Sequence, residues 1–278
     1  MLSAALLMLA VLSAWGPRVA GRPVWPAVFA LALVAAVAEG VLASWALAAV
    51  LALAAAGVLY TQLAQRGLAR ALGVVVALLA LALALHVVPG AANPLLAGLQ
   101  RLSPQSLLFR PWLSVDKGFA GLVLLLCFVP LARSAADWRR VGATLLRVGV
   151  PLVVLIVAAS LAAGYVAPDP KWPAFALPFL AGNLLFTCVA EEAFFRGLIQ
   201  RGLATTIGVA PALAIASLLF GLAHLAGGPL YAAIAAFAGL GYGWAYQRSA
   251  RIEAAILCHF ALNAVHFLGF SYPALSPH

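Results

Sequence analysis

The chain has 278 residues, of which 66% are hydrophobic and only 8% are charged. A soluble domain carries roughly 25% charged residues to cover its surface, so this chain requires lipid and not water around it. A formal net charge of +9 suggests nucleic acid in a soluble protein, but in a membrane protein it reports topology. The composition therefore excludes disordered proteins, nucleic-acid-binding proteins and secreted disulfide scaffolds.

Apolar runs bounded by Gly, Pro and Arg predict the transmembrane helices. Ten such runs cover residues 1–15, 24–39, 41–60, 71–88, 118–132, 148–165, 173–200, 209–225, 229–247 and 253–270. The first and fifth runs are short for a membrane crossing, which usually takes about 20 residues. We therefore predict an all-α fold, a polytopic transmembrane helical bundle of about eight to ten helices.

The basic residues indicate which side of the bundle faces the cytoplasm. If all ten runs cross the membrane, twelve of the sixteen Lys and Arg residues lie on one side. The positive-inside rule assigns that side to the cytoplasm. We expect a multi-pass protein of the cell inner (plasma) membrane, with membrane lipid as a partner and no nucleic acid.

Most acidic residues have simple explanations. Five of the seven are assigned outside the apolar helix interiors: Glu39 in a tight turn, Asp116, Asp137 and Asp169 in loops, and Glu253 as a cap at the start of the last helix. His86 ends an apolar run and is expected to be solvated. The stretch 89–117, which includes Lys117, is expected to form an interfacial loop or a short surface helix.

Glu191 and Glu192 are different because apolar residues lie on both sides of them. Glu192 and Arg196 are four residues apart, and this spacing and order favour an ion pair along one helix face. Adjacent helical positions diverge by about 100°, so Glu191 faces other neighbours and has no partner from its own helix. Desolvation makes such a carboxyl a stronger base, and we predict that Glu191 is the general base of a catalytic site.

Two later apolar runs carry imidazoles. His224 follows Phe220 by four residues, and His259 precedes Asn263 by four residues, so each pair shares a helix face. His266 extends the second face but lies close to the helix end, where it is expected to be interfacial. Helix bundles satisfy intramembrane polar groups by turning them inward, and we predict one shared intramembrane site.

The three motifs together resemble a known family. They are Glu191-Glu192-x-x-x-Arg196, Phe220-x-x-x-His224 and His259-x-x-x-Asn263, in this order on hydrophobic helices. The arrangement is similar to that of the CPBP family, the CAAX protease and bacteriocin-processing membrane proteins. This family is also called the Abi family and is related to the type II CAAX prenyl endopeptidase. The resemblance covers roughly residues 173–270.

The resemblance divides the chain into two predicted domains. Residues 1–170 form N-terminal transmembrane helices without a recognised motif, and residues 171–278 form a CPBP-like protease core. It implies an intramembrane endopeptidase without a cofactor, acting on a membrane-associated or lipid-linked protein.

The resemblance also implies a role for each motif residue. Glu191 would activate the attacking water with help from His224. His259 and Asn263 would stabilise the oxyanion, and Asn263 can do so without carrying a titrating charge. Glu192, together with Arg196, would orient the site.

Three alternatives remain open at the level of sequence. Glu191, His224 and His259 form a His₂Glu set that could bind zinc and leave the fourth position to water. A non-catalytic membrane scaffold or immunity-type protein could keep the same polar residues for helix packing. A transporter could use buried Glu and His residues to relay protons.

Overall fold

The computed structural model describes residues 1–16, 18–63 and 66–276, and helices dominate them. The helices are α1 (Leu2–Ser13), α2 (Trp25–Ala38), α3 (Ser44–Gln62), α4 (Arg66–Ala84), α5 (Val115–Phe128), α6 (Ala135–Ala162), α7 (Ala176–Ile207), α8 (Val209–Ala223), α9 (Pro229–Ser249) and α10 (Ile252–Gly269). Two short antiparallel strand pairs join them: Arg18–Val19 with Arg22–Pro23, and Gln100–Arg101 with Leu108–Phe109. The predicted all-α fold class is confirmed.

Several of these helices have the length and composition of membrane spans. Within the described residues, five helices are long and apolar enough to cross a membrane, namely α3, α4, α6, α7 and α10. Three shorter helices, α1, α2 and α8, are also apolar. Large apolar side chains lie exposed along these helices, for example Leu31, Leu78 and Leu218, as expected where lipid is the solvent. The protein is a multi-pass membrane protein.

The first of two compact units contains residues 1–94, 112–130 and 181–198. Its centre is α5, whose glycines allow close helix packing. A Cβ atom at Gly118 would lie 2.6 Å from the Phe186 ring, and one at Gly121 would lie 2.9 Å from the Ala190 Cα. The helix α7 therefore packs against α5 at backbone distance in the segment just before Glu191.

Two polar clusters of the first unit contain acidic residues whose positions were predicted from the sequence. One prediction is confirmed and one is wrong. Glu39 lies in the turn after α2, as predicted, and accepts hydrogen bonds from Leu2 N and Ser3 Oγ at 2.7 and 2.5 Å. The assignment of Asp116 to a loop was wrong, because it lies in the first turn of α5 and is only 1% exposed. Its burial is possible because His86 and Asn93 bind its carboxylate. His86 is exposed, as expected, but its ring also contacts this carboxylate.

The second unit contains residues 95–111, 131–180 and 199–278. An aromatic cluster around Phe175, Phe179 and Phe267 joins the start of α7 to the end of α10. Glycine again allows close approach, since a Cβ atom at Gly149 would lie 2.8 Å from Cys258 Sγ and one at Gly241 would lie 2.4 Å from Leu152. These contacts pack α6 against both α9 and α10.

Two acidic residues of the second unit lie in the first turns of its helices and bind nearby hydrogen-bond donors. Asp137 was assigned to a loop, but it lies in the first turn of α6 and forms a capping box with Ser134. Its carboxylate also accepts a hydrogen bond from Arg251 at 2.8 Å. Glu253 lies in the first turn of α10, at the helix start where it was predicted. It is buried and accepts a hydrogen bond from Ala132 N at 2.6 Å, which satisfies a buried backbone donor that water does not reach.

Candidate active site

The helix α7 carries the first motif and departs from regular α geometry on both sides of it. The segments Asn183–Cys188 and Ala193–Gln200 are π-helical, and Val189–Glu192 between them is α-helical. π-helical turns are rare and occur frequently at functional sites. The wider turns change which side chains share a face, so positions in α7 cannot be derived from a constant 3.6-residue period.

Glu192 and Arg196 form the predicted ion pair. Arg196 Nε lies 3.1 Å from Glu192 Oε2, and both side chains are completely buried. The Arg196 guanidinium also lies 5.9 Å from the centre of the Phe195 ring, within the range of a cation–π contact. Neither charge could remain in this interior without the other, so the pair fixes both side chains.

Glu191 has a partner that the sequence analysis did not identify. Lys117 Nζ donates a hydrogen bond to Glu191 Oε1 at 3.1 Å. The two side chains are 15% and 14% exposed, so this ion pair is shielded from bulk water on most sides. Lys117 comes from the first turn of α5 and not from an interfacial loop, which corrects the description of Glu191 as an unpaired carboxyl.

A hydrogen-bond network holds the first turn of α5 and therefore the backbone of Lys117. Asn93 Oδ1 accepts a hydrogen bond from Val115 N at 2.8 Å, and Asp116 Oδ1 accepts one from Lys117 N at 2.8 Å. The His86 imidazole lies 2.8 Å from Asp116 Oδ2. Such contacts satisfy backbone donors that a helix start leaves without intrahelical partners.

The second unit contains a pocket with about 590 Å³ of empty space, part of it open to the outside. His224, His259 and Asn263 all line it, as does His266. The structure thus brings the second and third motifs to one cavity. His266 is not merely interfacial, because it reaches this cavity and its Nε2 is buried.

His224 lies at the C-terminal end of α8, where its ring orientation is fixed. Its Nδ1 lies 2.7 Å from the Phe220 carbonyl oxygen. A carbonyl oxygen can only accept, so Nδ1 carries the proton and donates it. The neutral imidazole then has its lone pair on Nε2, the nitrogen suited to take or relay a proton.

His259 is held by aromatic rings in the wall of the pocket. It is 4% exposed and stacks on the Tyr242 ring with 4.7 Å between the ring centres. The Phe220 ring lies 5.6 Å away, nearly perpendicular to it. Phe220 therefore lies against both motif imidazoles, since its distance to the His224 ring is 4.5 Å.

Two tyrosines extend the polar lining of the pocket. The rings of Tyr165 and Tyr231 are stacked 5.7 Å apart, and both residues line the cavity. Tyr165 lies in the connection after α6, outside the spans, and burial raises its pKa to about 12. Its hydroxyl is therefore protonated and can donate a hydrogen bond at neutral pH.

Comparison with known protein families identifies the segment that contains these motifs. Residues 172–265 match the model of the family described as Type II CAAX prenyl endopeptidase Rce1-like. This segment is an Rce1-like domain. It covers about a third of the chain and contains all seven residues of the three motifs, which confirms the resemblance. No curated protein and no solved structure matches the chain significantly.

The match supports a CAAX-type intramembrane protease at the level of the family. The first motif lies in one compact unit, where Glu191, Glu192 and Arg196 are neighbours on α7. His224, His259 and Asn263 lie together in the other unit. That all three motifs form one site stays a prediction, as does the domain boundary between residues 170 and 171.

Three groups of residues around the Rce1-like domain were not predicted from the sequence. They are the lysine that pairs with Glu191, the cluster behind it and the pocket tyrosines: Lys117, then His86, Asn93 and Asp116, then Tyr165, Tyr231 and Tyr242. One signal was available, because Lys117 is one of only two lysines in the chain and directly precedes an apolar run. Nothing in the spacing of the tyrosines indicated a shared cavity.

Metal binding by the Rce1-like domain depends on how its His, Cys, Asp and Glu side chains are placed. Across residues 1–16, 18–63 and 66–276, no three His, Cys, Asp or Glu side chains form a group that could hold a metal ion. The predicted alternative, in which Glu191, His224 and His259 bind zinc, is tested by removing metal with a chelator.

Proposed function

We propose that the protein is an intramembrane endopeptidase of the cell inner (plasma) membrane. It cleaves a peptide bond in a membrane-associated or lipid-linked protein, and its partners are this substrate and the surrounding lipid. The observation that carries the proposal is the single Rce1-like segment, 172–265, which contains the complete set of motif residues. A packing scaffold would tolerate the loss of some of them.

In the proposed reaction Glu191 takes a proton from water while the water oxygen attacks the carbonyl carbon of the scissile bond. Lys117 supports this role because its hydrogen bond to Oε1 holds the carboxylate in one orientation. The proton then passes to the nitrogen of the leaving amine as the carbon–nitrogen bond breaks. The Nε2 atom of His224 is the second group suited to this transfer, since Nδ1 is engaged with Phe220.

The oxyanion of the tetrahedral intermediate needs hydrogen-bond donors that are already in place. Asn263 and His259 line one pocket, and the Asn263 amide is a neutral donor. His259 is fixed by its stacking on Tyr242, so donating costs little reorganisation. Glu192 and Arg196 have a positioning role, because their buried ion pair fixes α7 next to Glu191.

The proposal is tested with purified protein in lipid vesicles. The probe is a fluorogenic peptide that ends in a prenylated Cys followed by two aliphatic residues and a variable last residue, and its unprenylated twin is the comparison. Glu191→Gln and His224→Ala should each lower cleavage by roughly 10²-fold or more, the usual contribution of general acid–base groups. Glu39→Gln, a change of the same kind away from the motifs, should leave cleavage intact.

Unchanged cleavage in both motif variants would remove the catalytic assignment. If the wild type does not cleave the probe, membrane proteomes of cells with wild type and with Glu191→Gln are compared for a precursor that accumulates in the variant. No difference in either assay would favour the scaffold. Activity that survives complete metal removal by a chelator would eliminate the zinc alternative, because zinc chemistry requires the ion.

A further inference from the structure

The second compact unit, residues 95–111, 131–180 and 199–278, contains another pocket. The residues that line it differ in character from those of the first pocket. The second pocket contains about 380 Å³ of empty space, part of it open, and is lined by Arg140, Ala143, Thr144, Arg147, Val148 and Arg248. Three of these six residues carry a guanidinium group. The pocket lining contains no acidic residue and none of the motif residues.

We call this pocket the arginine pocket. Nearby carboxylates neutralise only a small part of its positive charge. Arg140 Nη2 lies 2.5 Å from Asp137 Oδ1, and that carboxylate is shared with Arg251. Arg147 and Arg248 are exposed, and within the described part of the chain neither makes an ion pair with a carboxylate. The arginine pocket therefore presents unneutralised guanidinium groups to its surroundings.

The position of the arginine pocket follows from the two helices that build it. In α6 the residues after Arg147, 148–162, contain no charge, and in α9 the residues before Arg248, 229–247, contain none either. The close contact between Gly241 and Leu152 packs these two apolar segments together. Trp138, in the first turns of α6, is 45% exposed, as is typical of aromatic residues at a membrane–water interface.

We propose that the arginine pocket binds the phosphate group of an anionic phospholipid. A guanidinium presents paired N–H donors that match the oxygens of a phosphate, and three of them from two helices face one cavity. Lipid is the favoured source of the phosphate because the arginines lie at the ends of apolar helix segments, at the depth of the headgroups. Arg140, Arg147 and Arg248 all belong to the side assigned to the cytoplasm, where anionic lipids attract basic residues.

The test uses the full-length protein reconstituted in vesicles of phosphatidylcholine alone or of phosphatidylcholine with phosphatidylglycerol. Native mass spectrometry then counts the lipids retained on the released protein. Wild type should retain phosphatidylglycerol and not phosphatidylcholine. Each removed arginine should lower the affinity roughly five-fold, the effect of one basic residue near an anionic membrane, so Arg147→Gln with Arg248→Gln should lower it about 25-fold.

Matched variants separate the arginine pocket from general charge effects. Arg110→Gln removes the charge of an exposed arginine outside the pocket and should leave retention unchanged. Arg147→Lys with Arg248→Lys keeps the charge but loses the paired donors, so its retention should lie between wild type and the double glutamine variant.

Three results would overturn the proposal. They are equal retention by wild type and the double glutamine variant, equal retention of phosphatidylcholine, and displacement of the lipid by inorganic phosphate at equal concentration. The last result would make free phosphate the ligand. Peptide cleavage is not measured in this test. The lipid-binding proposal is therefore confirmed or refuted independently of the proposed protease activity.

Discussion

Lys117 Nζ lies 3.1 Å from Glu191 Oε1, although the two residues are 74 positions apart in the chain. The lysine stands in the first turn of α5 and the glutamate in the short α-helical segment between two π-helical segments of α7. Each of these places is fixed by contacts of its own, the Asn93–Asp116 network on one side and the Glu192–Arg196 pair on the other. The ion pair thus joins two rigid positions.

Replacing Lys117 with Met should lower the turnover of a cleaved substrate by roughly 10²-fold, because a misplaced reacting group typically has an effect of that size. The substrate KM should change much less, since Lys117 acts through Glu191. Lys117→Arg keeps a cationic donor and should restore part of the turnover. Steady-state kinetics and a thermal melt in detergent measure both quantities. Full turnover in Lys117→Met with an unchanged melt would contradict this role.

Removing only one partner of the buried Glu192–Arg196 pair should be severely destabilising. Glu192→Gln leaves the Arg196 charge in a completely buried position, and the loss of one partner of such a pair costs about 3–5 kcal/mol. The double variant Glu192→Leu with Arg196→Met should be clearly more stable than Glu192→Gln, because no charge is left uncompensated. Denaturant unfolding in mixed micelles gives the comparison, and equal destabilisation in both variants would speak against it.

Gly121→Ala should disturb the approach of α5 to α7. The new Cβ would lie 2.9 Å from the Ala190 Cα, and overpacking of this kind costs typically 1–3 kcal/mol. Ala190 directly precedes Glu191, so cleavage should fall together with stability. Gly142→Ala is the matched control, because a Cβ there meets nothing within 4 Å and alanine is the better helix former. It should be neutral or stabilising, and identical effects of both substitutions would refute the packing argument.

Acid should loosen the connection between the 95–111 segment and the loop before α7. Asp169 accepts hydrogen bonds from Ser103 and from Lys171, the latter at 3.0 Å, and these partners lower its pKa from the ordinary value of 3.8. A carboxylate with a lowered pKa in the folded state contributes stability that is complete above its ordinary pKa and is lost as the pH falls through the folded value. Once corrected for the intrinsic pH dependence of amide exchange, hydrogen exchange of residues 95–111 should therefore accelerate below pH of about 4.

Asp169→Asn provides the control for this pH dependence. It should show faster exchange of residues 95–111 already at neutral pH and a weaker acceleration in acid, because no titrating carboxylate remains. If the variant exchanges like the wild type at both pH values, Asp169 does not hold this segment.

The sequence predicts those parts of the site that depend on local spacing. The i, i+4 relation of Glu192 and Arg196 is contained within one helical turn, and the pair forms as predicted. The same holds for Phe220 and His224, which contact each other at the end of α8. The apolar runs likewise predict the helices, because a chain with 8% charged residues can satisfy its backbone in lipid only through internal hydrogen bonds.

Contacts between distant segments could not be predicted in the same way. Asp116 was placed in a loop and His86 in solvent, because each is an isolated polar residue in its own segment. The burial of Asp116 becomes favourable only when it meets His86 across 30 positions of sequence, since a buried charge requires a partner. The stacking of Tyr242 on His259 depends in the same way on how α9 and α10 pack.

The π-helical segment Asn183–Cys188 gives the number of residues in α7 a chemical meaning. Because such a turn holds about one residue more than an α-helical turn, deleting a single residue there would return the segment to regular α geometry and leave the orientation of the residues beyond it nearly unchanged. The segment Val189–Glu192 is α-helical and has no extra residue, so deleting Val189 would instead rotate the following residues by about 100°. Glu191 would then point away from Lys117, although every side chain of the motif would still be present.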